Sequence, residues 1–383
     1  MAKIVLILTS SIAAPKGLAL YQQLKVIHDV KLVLTPDVKY FLPSIPSDAF
    51  SELFTEKYYD KNSKSVHIDL AAQADLLVCY PASHDFIAKI TAGITDNLAS
   101  LVYSASDCYK MVFPAMNNIM YQSPANQRNL KQLIADGVGV FPPKEGLLAC
   151  KTIGIGRAWE SEDVYQTIIK YLTYQNNLKA KKVLLNFGRT KTYLDDIRYL
   201  TNNSSGLMGD ALHQVLTWSR CALTTIVGDT DFPVYYDHLK VNTNQEMLAQ
   251  MVKNFDQKDI VICCAALNDY QIKEPFKGKI AKRQNPSLKL TLDSNIDVLA
   301  HLGAKKTHQF LVGFSAQNDF DLDYARQKLI DKNLDLLIIN QTKSMQQNDN
   351  EIIFLTKTEV EKISKASKLI IAGQIVQKII SQC

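Results

Sequence analysis

The stretch "ADLLVCYP", residues 74–81, is apolar at consecutive positions rather than at alternate ones. A strand with one wet face alternates, whereas a strand covered on both faces does not. Three other runs read the same way: "KIVLIL" (3–8), "DVKLVLT" (29–35) and "KMVFPAM" (110–116). Helix-length stretches separate them, including Ala14 to Ile27 and Asp85 to Ile94, and a helical pattern from Ser161 to Leu172 closes the series. Buried strands alternating with helices imply a parallel sheet with helices on both faces.

The polar, aperiodic "TYQNNLKAKK" (173–182) reads as a linker. The alternation then restarts with "KVLLNFG" (182–188), "ALTTIVGD" (222–229), "DIVICCAA" (259–266), "FLVGFSA" (310–316) and "LDLLIIN" (334–340). The expected fold class is therefore α/β with two domains, residues 1–173 and 182–383, joined by a linker over 174–181; 383 residues suffice for two cores. Strand order is not legible at this level.

The net charge of +5, from 43 basic and 38 acidic residues, is spread out, and its short clusters are interrupted by apolar residues. That reads as a solvated face and not as a nucleic-acid-binding stripe. The opening "MAKIVLILTSS" has too short an apolar run for a signal segment, and no run reaches membrane length, so no membrane partner is expected. Seven cysteines, at 79, 108, 150, 221, 263, 264 and 383, form no C-x-x-C pair. This spacing offers no zinc site, and an odd number of thiols suits the reducing cytoplasm.

Three segments of the first half carry candidate chemistry: "VHIDLAAQADLLVCYPAS" with His67, "PAMNNIMY" (114–121), and "LLACKTIGIGRA" (147–158). Ligands gather at the carboxyl ends of parallel strands, and Asn117 directly follows such an end. Each feature has a plain alternative. His67 could be structural, Asn117 a helix cap, Met116 and Met120 core, and Cys150 a small buried hydrophobe. In order and spacing together, they resemble the flavin-containing cysteine decarboxylases, and most closely the phosphopantothenoylcysteine decarboxylases, over roughly residues 1–172. The fold implied is flavodoxin-like. The matching residues are His67, Pro114 to Asn117 with Met120, and Cys150 with Gly154, Gly156 and Arg157.

That resemblance implies FMN as cofactor, since a flavin that accepts hydride from the cysteine end of a substrate creates an electron sink beside the nascent carbanion. It makes His67 the base for thiol oxidation, Asn117 the holder of the departing carboxylate and Cys150 a proton donor. It assigns Met116, Met120 and Arg157 to substrate, and Ser10, Ser11, Thr35, Ser83 and Ser106 to the flavin. The loop "TSSIAAPK" (9–16) departs from the family's glycine-bearing "SGGIAAYK", although its hydroxyls can still donate to phosphate. Lys151 and Ala158-Trp159 depart from the family flap.

In the second half, "DDIRYLTNNSSGLMGDALHQVL" (195–216) places Asn, Ser and Ser before a helix, an arrangement suited to an anion or to plain capping. With "AALNDY" (265–270), "KGKIAKR" (277–283), "SNIDVL" (294–299), "VGFSAQ" (312–317) and "ARQKLIDKNLDLLIIN" (325–340), it resembles the phosphopantothenate–cysteine ligases, which have a Rossmann-like fold, over about residues 181–380. The resemblance implies that 4'-phosphopantothenate attacks CTP to give an acyl-cytidylate, from which cysteine displaces CMP, with Mg²⁺ and lysines neutralising phosphate charge. Asn202 would handle the acyl-cytidylate. Arg198, Cys263, Cys264, Ala265, Asp269, Lys279, Asn295, Ile296, Asp297, Val298, Phe314, Lys328 and Lys332 would line the substrate and nucleotide sites. Departures are Arg189, Thr192, Asp196, Ile296 and Gln317, where the family has Pro, Glu, Pro, Pro and Glu. The metal ligands are not assigned.

The joint resemblance implies a bifunctional coenzyme A biosynthesis enzyme, with trimers of the flavin half and dimers of the ligase half. A single-activity flavin cysteine decarboxylase and a non-catalytic regulatory flavoprotein are the alternatives.

Overall fold

The computed structural model describes residues 1–50, 65–147, 152–175, 178–281, 287–344, 346–347 and 349–383. The chain divides into two compact units, Met1–Thr173 and Tyr174–Cys383.

The first unit runs β1 (Lys3–Leu8), α1 (Ala14–Lys25), β2 (Asp29–Leu34), α2 (Val66–Gln73), β3 (Leu76–Ala82), α3 (His84–Ala92), α4 (Leu98–Ala105), β4 (Tyr109–Pro114), α5 (Asn118–Gln122), α6 (Pro124–Ala135), β5 (Gly139–Val140), β6 (Lys144–Leu147), β7 (Ile153–Arg157) and α7 (Ser161–Tyr174). Strands β1 to β5 form one parallel sheet in the order 2-1-3-4-5. This is the flavodoxin-like order, with its switch point between β1 and β3. All seven residues of β3 are buried, as the unbroken apolar run requires. Ile7, Leu77, Cys79 and Val112 pack on one face with Phe86, Val102 and Leu133. The other face takes α1 at very close range. A Cβ on Gly17 would stand 2.6 Å from the Tyr80 carbonyl oxygen, so only glycine lets this helix lie on the sheet.

The second unit runs β8 (Lys182–Phe187), β9 (Lys191–Tyr193), β10 (Tyr199–Thr201), α8 (Leu207–Trp218), β11 (Ala222–Val227), β12 (Leu239–Lys240), α9 (Asn244–Phe255), β13 (Ile260–Cys263), β14 (Tyr270–Ile272), β15 (Leu292–Ser294), α10 (Val298–Lys305), β16 (Phe310–Gln317), α11 (Leu322–Asp331), β17 (Leu336–Gln341), β18 (Asp349–Leu355), β19 (Val360–Ser367) and α12 (Lys368–Gln382). Its main sheet has the order 12-11-8-13-16-17-18-19. The six strands from β12 to β17 are parallel and follow the Rossmann order, and β18 and β19 add an antiparallel edge. Leu184, Val261, Leu311, Leu337 and Ile339 pack with Met247, Leu302 and Leu329 in one core.

The segment read as a linker over 174–181 contributes residues to the second unit: Leu178 is buried, and its N–H donates to the Ser219 carbonyl. Tyr174 fills the space beside Gly373, where a Cβ would stand 2.3 Å from its ring. Lys328 and Lys332 are both engaged at the sheet's carboxyl edge, as detailed below. Among the described residues, no helix is long and apolar enough to cross a membrane.

Candidate active sites

In the first unit, the loops after β1, β2 and β3 meet at the switch point. The buried Thr9 hydroxyl donates to the Pro81 carbonyl (2.7 Å) and accepts from the Ser83 N–H (2.8 Å). The Ser10 N–H donates to Thr35 Oγ1 (3.0 Å), and the two hydroxyls lie 3.0 Å apart. Ser11 Oγ accepts from the Ala13 N–H at 3.2 Å. No side chain caps α1, so its start keeps a cradle of hydroxyl and amide groups fit for the phosphate of a flavin nucleotide. Ser83 spends its hydroxyl as an acceptor from the Phe86 N–H.

Ser106 is a correction. It precedes β4 and so lies at the sheet's amino edge, opposite this cradle, where its hydroxyl donates to the Val102 carbonyl (2.7 Å). Its place before the strand was legible from the sequence, and the assignment to the flavin rested on the resemblance alone.

His67 sits in the first turn of α2, with Nδ1 2.6 Å from Ser65 Oγ. Asn117 caps α5 at the end of β4, accepting from the Ile119 N–H at 2.8 Å, so it is a cap and is also at the ligand edge. Met116 is half-buried against the core, and Met120 is exposed. Strands β6 and β7 form an antiparallel hairpin whose residues 148–151, including Cys150, lie outside the described residues. Its β7 strand is docked on the β4–α5 turn: the Met116 N–H donates to the Gly156 carbonyl at 3.1 Å.

Arg157 leaves the hairpin and pairs with Glu160 (2.9 Å), whose same oxygen takes Lys16 Nζ at 2.8 Å. Trp159, one of the departures, anchors the hairpin's base. Its ring packs edge-on to Phe113 and Phe141, its Nε1 donates to the Pro142 carbonyl, and its own carbonyl accepts from Tyr80 OH at 2.6 Å. Neither Glu160 nor Trp159 was picked out from sequence as an organising residue. An aromatic and an acid directly after a Gly-x-Gly-Arg stretch was the available signal.

In the second unit, the switch point lies between β8 and β13. Asn186, at the end of β8, accepts from the Ala265 N–H (3.0 Å), and its carbonyl accepts from the Cys264 N–H (3.0 Å). Burial pushes both the Cys263 and Cys264 thiols up to about 12, so neither is a thiolate near neutrality. A buried polar network then fixes the next loop. Asn268 Nδ2 donates to the Thr190 and Leu200 carbonyls and to Thr192 Oγ1, and Asn244 Nδ2 reaches the Asn268 and Ile296 carbonyls. Thr192 stands where a glutamate was expected and is an internal strut. Asn244, Asn268 and Thr190 were not flagged from sequence, because a buried amide looks like a loop residue until its partners are known.

Asn202 Nδ2 donates to the Leu267 carbonyl at 2.8 Å, which brings the "NNSSG" loop over the end of β13. Gly206, at φ +85°, turns the chain into α8, and Gly209 lets α8 pass within contact of Phe187. Arg189 ties this loop down, donating to the Ser204 carbonyl (2.8 Å) and pairing with Asp231 (2.8 Å). Asp195 accepts from the N–H groups of Ile197, Arg198 and Ile280 and from the Arg198 guanidinium (2.7 Å). Burial works to raise its pKa, but these donors outweigh it and hold the carboxyl at about 2. The same bonds place exposed Lys279 beside the Asp195–Arg198 turn. Asp196 and Ile296 each donate an N–H, to the Gly278 carbonyl (3.4 Å) and to Asn295 Oδ1 (2.8 Å), which the expected prolines would lack.

The Asn295 N–H donates to the carbonyl of exposed Asp269 at 2.8 Å. Asp297 caps α10, ahead of buried Val298, and pairs with Lys332 at 2.6 Å. Lys328 donates to the Phe314 carbonyl at 3.1 Å, and burial pushes its amine down to about 8, helped by Lys332 and opposed by Asp297 and Asp269. Gln317, in place of an acid, accepts from the Asp321 N–H at 2.9 Å and holds the start of α11. The structure thus gathers Cys263 to Ala265, Asn295 to Val298, Phe314, Lys328 and Lys332 at one edge, with a cation held low in a partly buried site. Among the described residues, no three His, Cys, Asp or Glu side chains stand together as a metal site.

A family model described as "Flavoprotein" matches residues 1–173, and one described as "DNA/pantothenate metabolism flavoprotein C-terminal domain" matches residues 178–382. A coenzyme A biosynthesis bifunctional protein CoaBC of Haemophilus influenzae is 32% identical over 389 residues, spanning 99% of this chain and 97% of its own length. The chain belongs to the CoaBC family. A second CoaBC relative, from Bacillus subtilis, is also 32% identical, over 98% of this chain and 96% of its own. A solved C-terminal domain of a CoaBC protein is 28% identical and covers 53% of this chain and 96% of that chain, with a TM-score of 0.46. In this CoaBC-family chain, the flavoprotein match coincides with the hydroxyl cradle and the second match with the Rossmann-ordered unit.

Proposed function

We propose that this protein carries out two consecutive steps of coenzyme A biosynthesis. The second unit joins cysteine to 4'-phosphopantothenate with CTP, and the first decarboxylates the resulting phosphopantothenoylcysteine to 4'-phosphopantetheine. The observation that carries this reading is that similarity to bifunctional CoaBC relatives runs through both units, over 99% of the chain.

In the ligase unit, the nucleotide lies over the edge formed by Cys263 to Ala265, Asn295 to Val298 and Phe314. Lys328 and Lys332 present positive charge to its phosphates, and Lys279 approaches from the Asp195-held loop. The carboxylate of phosphopantothenate attacks the α-phosphate and pyrophosphate leaves; the amine of cysteine then displaces CMP. Asn202 and Arg198 hold the acyl group, with the Asn202 side chain aimed by its bond to the Leu267 carbonyl. With no three-residue metal cluster among the described residues, Mg²⁺ would be held chiefly by nucleotide phosphates and water, in keeping with its reluctance to dehydrate.

In the decarboxylase unit, FMN fits the cradle of Ser10, Ser11, Thr35 and Ser83. Bound flavin would supply a reversible two-electron oxidation, taking a hydride equivalent from the cysteine end of the substrate to open an electron sink and giving it back once carbon dioxide has left, so that the net change is loss of carbon dioxide with uptake of a proton. His67, aimed by Ser65, takes the thiol proton. Asn117 orients the carboxylate that departs as carbon dioxide. Met116 and Met120 border the substrate, Arg157 binds it from the hairpin, and Cys150 returns a proton. The assembly expected is trimers through the flavin unit and dimers through the ligase unit, in the cytoplasm.

The test is incubation of the purified protein with 4'-phosphopantothenate, cysteine, CTP and Mg²⁺, followed by mass spectrometry. Transient phosphopantothenoylcysteine giving way to phosphopantetheine is expected. Absence of the amide product overturns the bifunctional reading.

A further inference from the structure

Gly154 and Asn118 touch in a way that neither backbone conformation nor the fold core demands. A Cβ placed on Gly154 would stand 2.8 Å from Asn118 Cγ and 2.9 Å from its Cβ. Gly154 has no left-handed φ, so an L-residue would fit its backbone. What excludes one is the Asn118 side chain packed against β7. Two residues on, a Cβ at Gly156 would stand 2.2 Å from the Met116 carbonyl oxygen, and the Gly156 carbonyl takes the Met116 N–H. The β7 strand is thus pressed onto the Met116–Asn118 turn along its length.

Asn118 also bears a buried oxygen, Oδ1, without a hydrogen-bond partner. Folds rarely keep an unmet buried acceptor unless the group serves something besides packing.

We propose that Asn118 is a positioning residue for the decarboxylation: its carboxamide is the seat of β7 and fixes the distance between Asn117, on its own turn, and Arg157, at the end of that strand. The inference rests on the flavin-decarboxylase reading of the first unit. Asn117 and Arg157 would grip the substrate from two sides, so an error at the seat is an error in substrate geometry. Misplacement by about 1 Å costs up to about 100-fold in rate.

The experiment is a double-mutant cycle on the full chain, with phosphopantothenoylcysteine as substrate and bound flavin measured by absorbance. Gly154→Ala is expected to lower kcat by about 30- to 100-fold, and Asn118→Ala by about 10-fold, each with flavin content near that of the unsubstituted protein. The double variant is expected to fall short of the multiplied single effects, because truncation removes the carboxamide atoms that stand 2.8 and 3.1 Å from the added methyl, while Asn118 Cβ at 2.9 Å remains. Multiplied effects in the double variant, or unchanged kcat in Asn118→Ala, overturn the seat. A loss confined to KM also overturns it. If Gly154→Ala loses its flavin, the kcat of Asn118→Ala decides alone. An unsubstituted protein that binds flavin yet does not consume the substrate overturns the underlying decarboxylase reading instead.

Discussion

Lys328 Nζ donates to the main-chain oxygen of Phe314 at 3.1 Å from a half-buried position that lowers its pKa to about 8. The fold accepts an ammonium where water is scarce, with carboxylates too few to restore its usual basicity. An anionic ligand would restore it, which is the electrostatic signature of a phosphate site.

Lys328 carries charge below about pH 8 and loses it above. Ligase kcat/KM for CTP should therefore fall as pH rises from 7 to 9, and Lys328→Arg should flatten that fall. Because the folded pKa is depressed below the unfolded 10.5, the burial penalty is full below pH 8 and vanishes above 10.5. Lys328→Met should raise stability at pH 7 by on the order of 3 kcal/mol while abolishing ligation. Denaturant melts alongside the CTP assay check both; a destabilised Met variant would contradict the assignment.

His213 stacks on Tyr236 with ring centroids 3.4 Å apart and has Nδ1 3.0 Å from Thr225 Oγ1. Burial, and secondarily the nearby His238, pushes its pKa down to about 3. The unfolded chain binds this proton from about pH 6.5 downward, so stability is full above 6.5 and is lost towards pH 3. The loss at pH 4.5 should be about 2–3 kcal/mol from this residue. Urea melts at pH 7 and 4.5 should differ by less in His213→Phe; an unchanged difference would remove His213 as the source.

Trp159 makes two edge-on ring contacts and two hydrogen bonds at the base of the β6–β7 hairpin. Trp159→Ala should destabilise the first unit by about 2–3 kcal/mol and slow decarboxylation. Ligation should be unaffected, and a parallel loss of ligase activity would show the effect to be general unfolding.

Asp195 is ionised down to about pH 2, and its bonds clamp the Ile197–Arg198 turn to Ile280. With its folded pKa depressed, this clamp holds above the unfolded carboxylate range and is lost as pH falls through 2. In Asp195→Asn, hydrogen exchange at the Arg198 and Ile280 amides should quicken at pH 7 and the KM of the ligase for CTP should rise several-fold. Unchanged exchange would show the clamp to be redundant.

Much of the fold was readable because burial on both faces leaves a one-dimensional trace: all nine apolar runs became strands of the two main sheets. The antiparallel pieces were not readable. β9 with β10 and β14 with β15 are three-residue strands, and β19 is mostly exposed. Their pairing comes from chain reversal and not from a hydrophobic period. Of the candidate sites, residues at strand ends such as Asn117, Cys263 and Ser10 were legible by position. Ser106 was assigned by resemblance alone, and its place before β4 sets it at the amino end of a parallel strand, away from the ligand edge.

The sequence by itself determined that there are two α/β units, where their core strands lie, and which polar motifs follow them, since these depend on local hydrophobicity and spacing. Only the tertiary structure decided the strand order and hence the two switch points, the burial of Lys328 and His213, the seating of β7 on Asn118, and the joining of Asn268, Thr190 and Asn244 in one network. These depend on which residues distant in the chain share a place, and burial and hydrogen bonding have no value until that place exists.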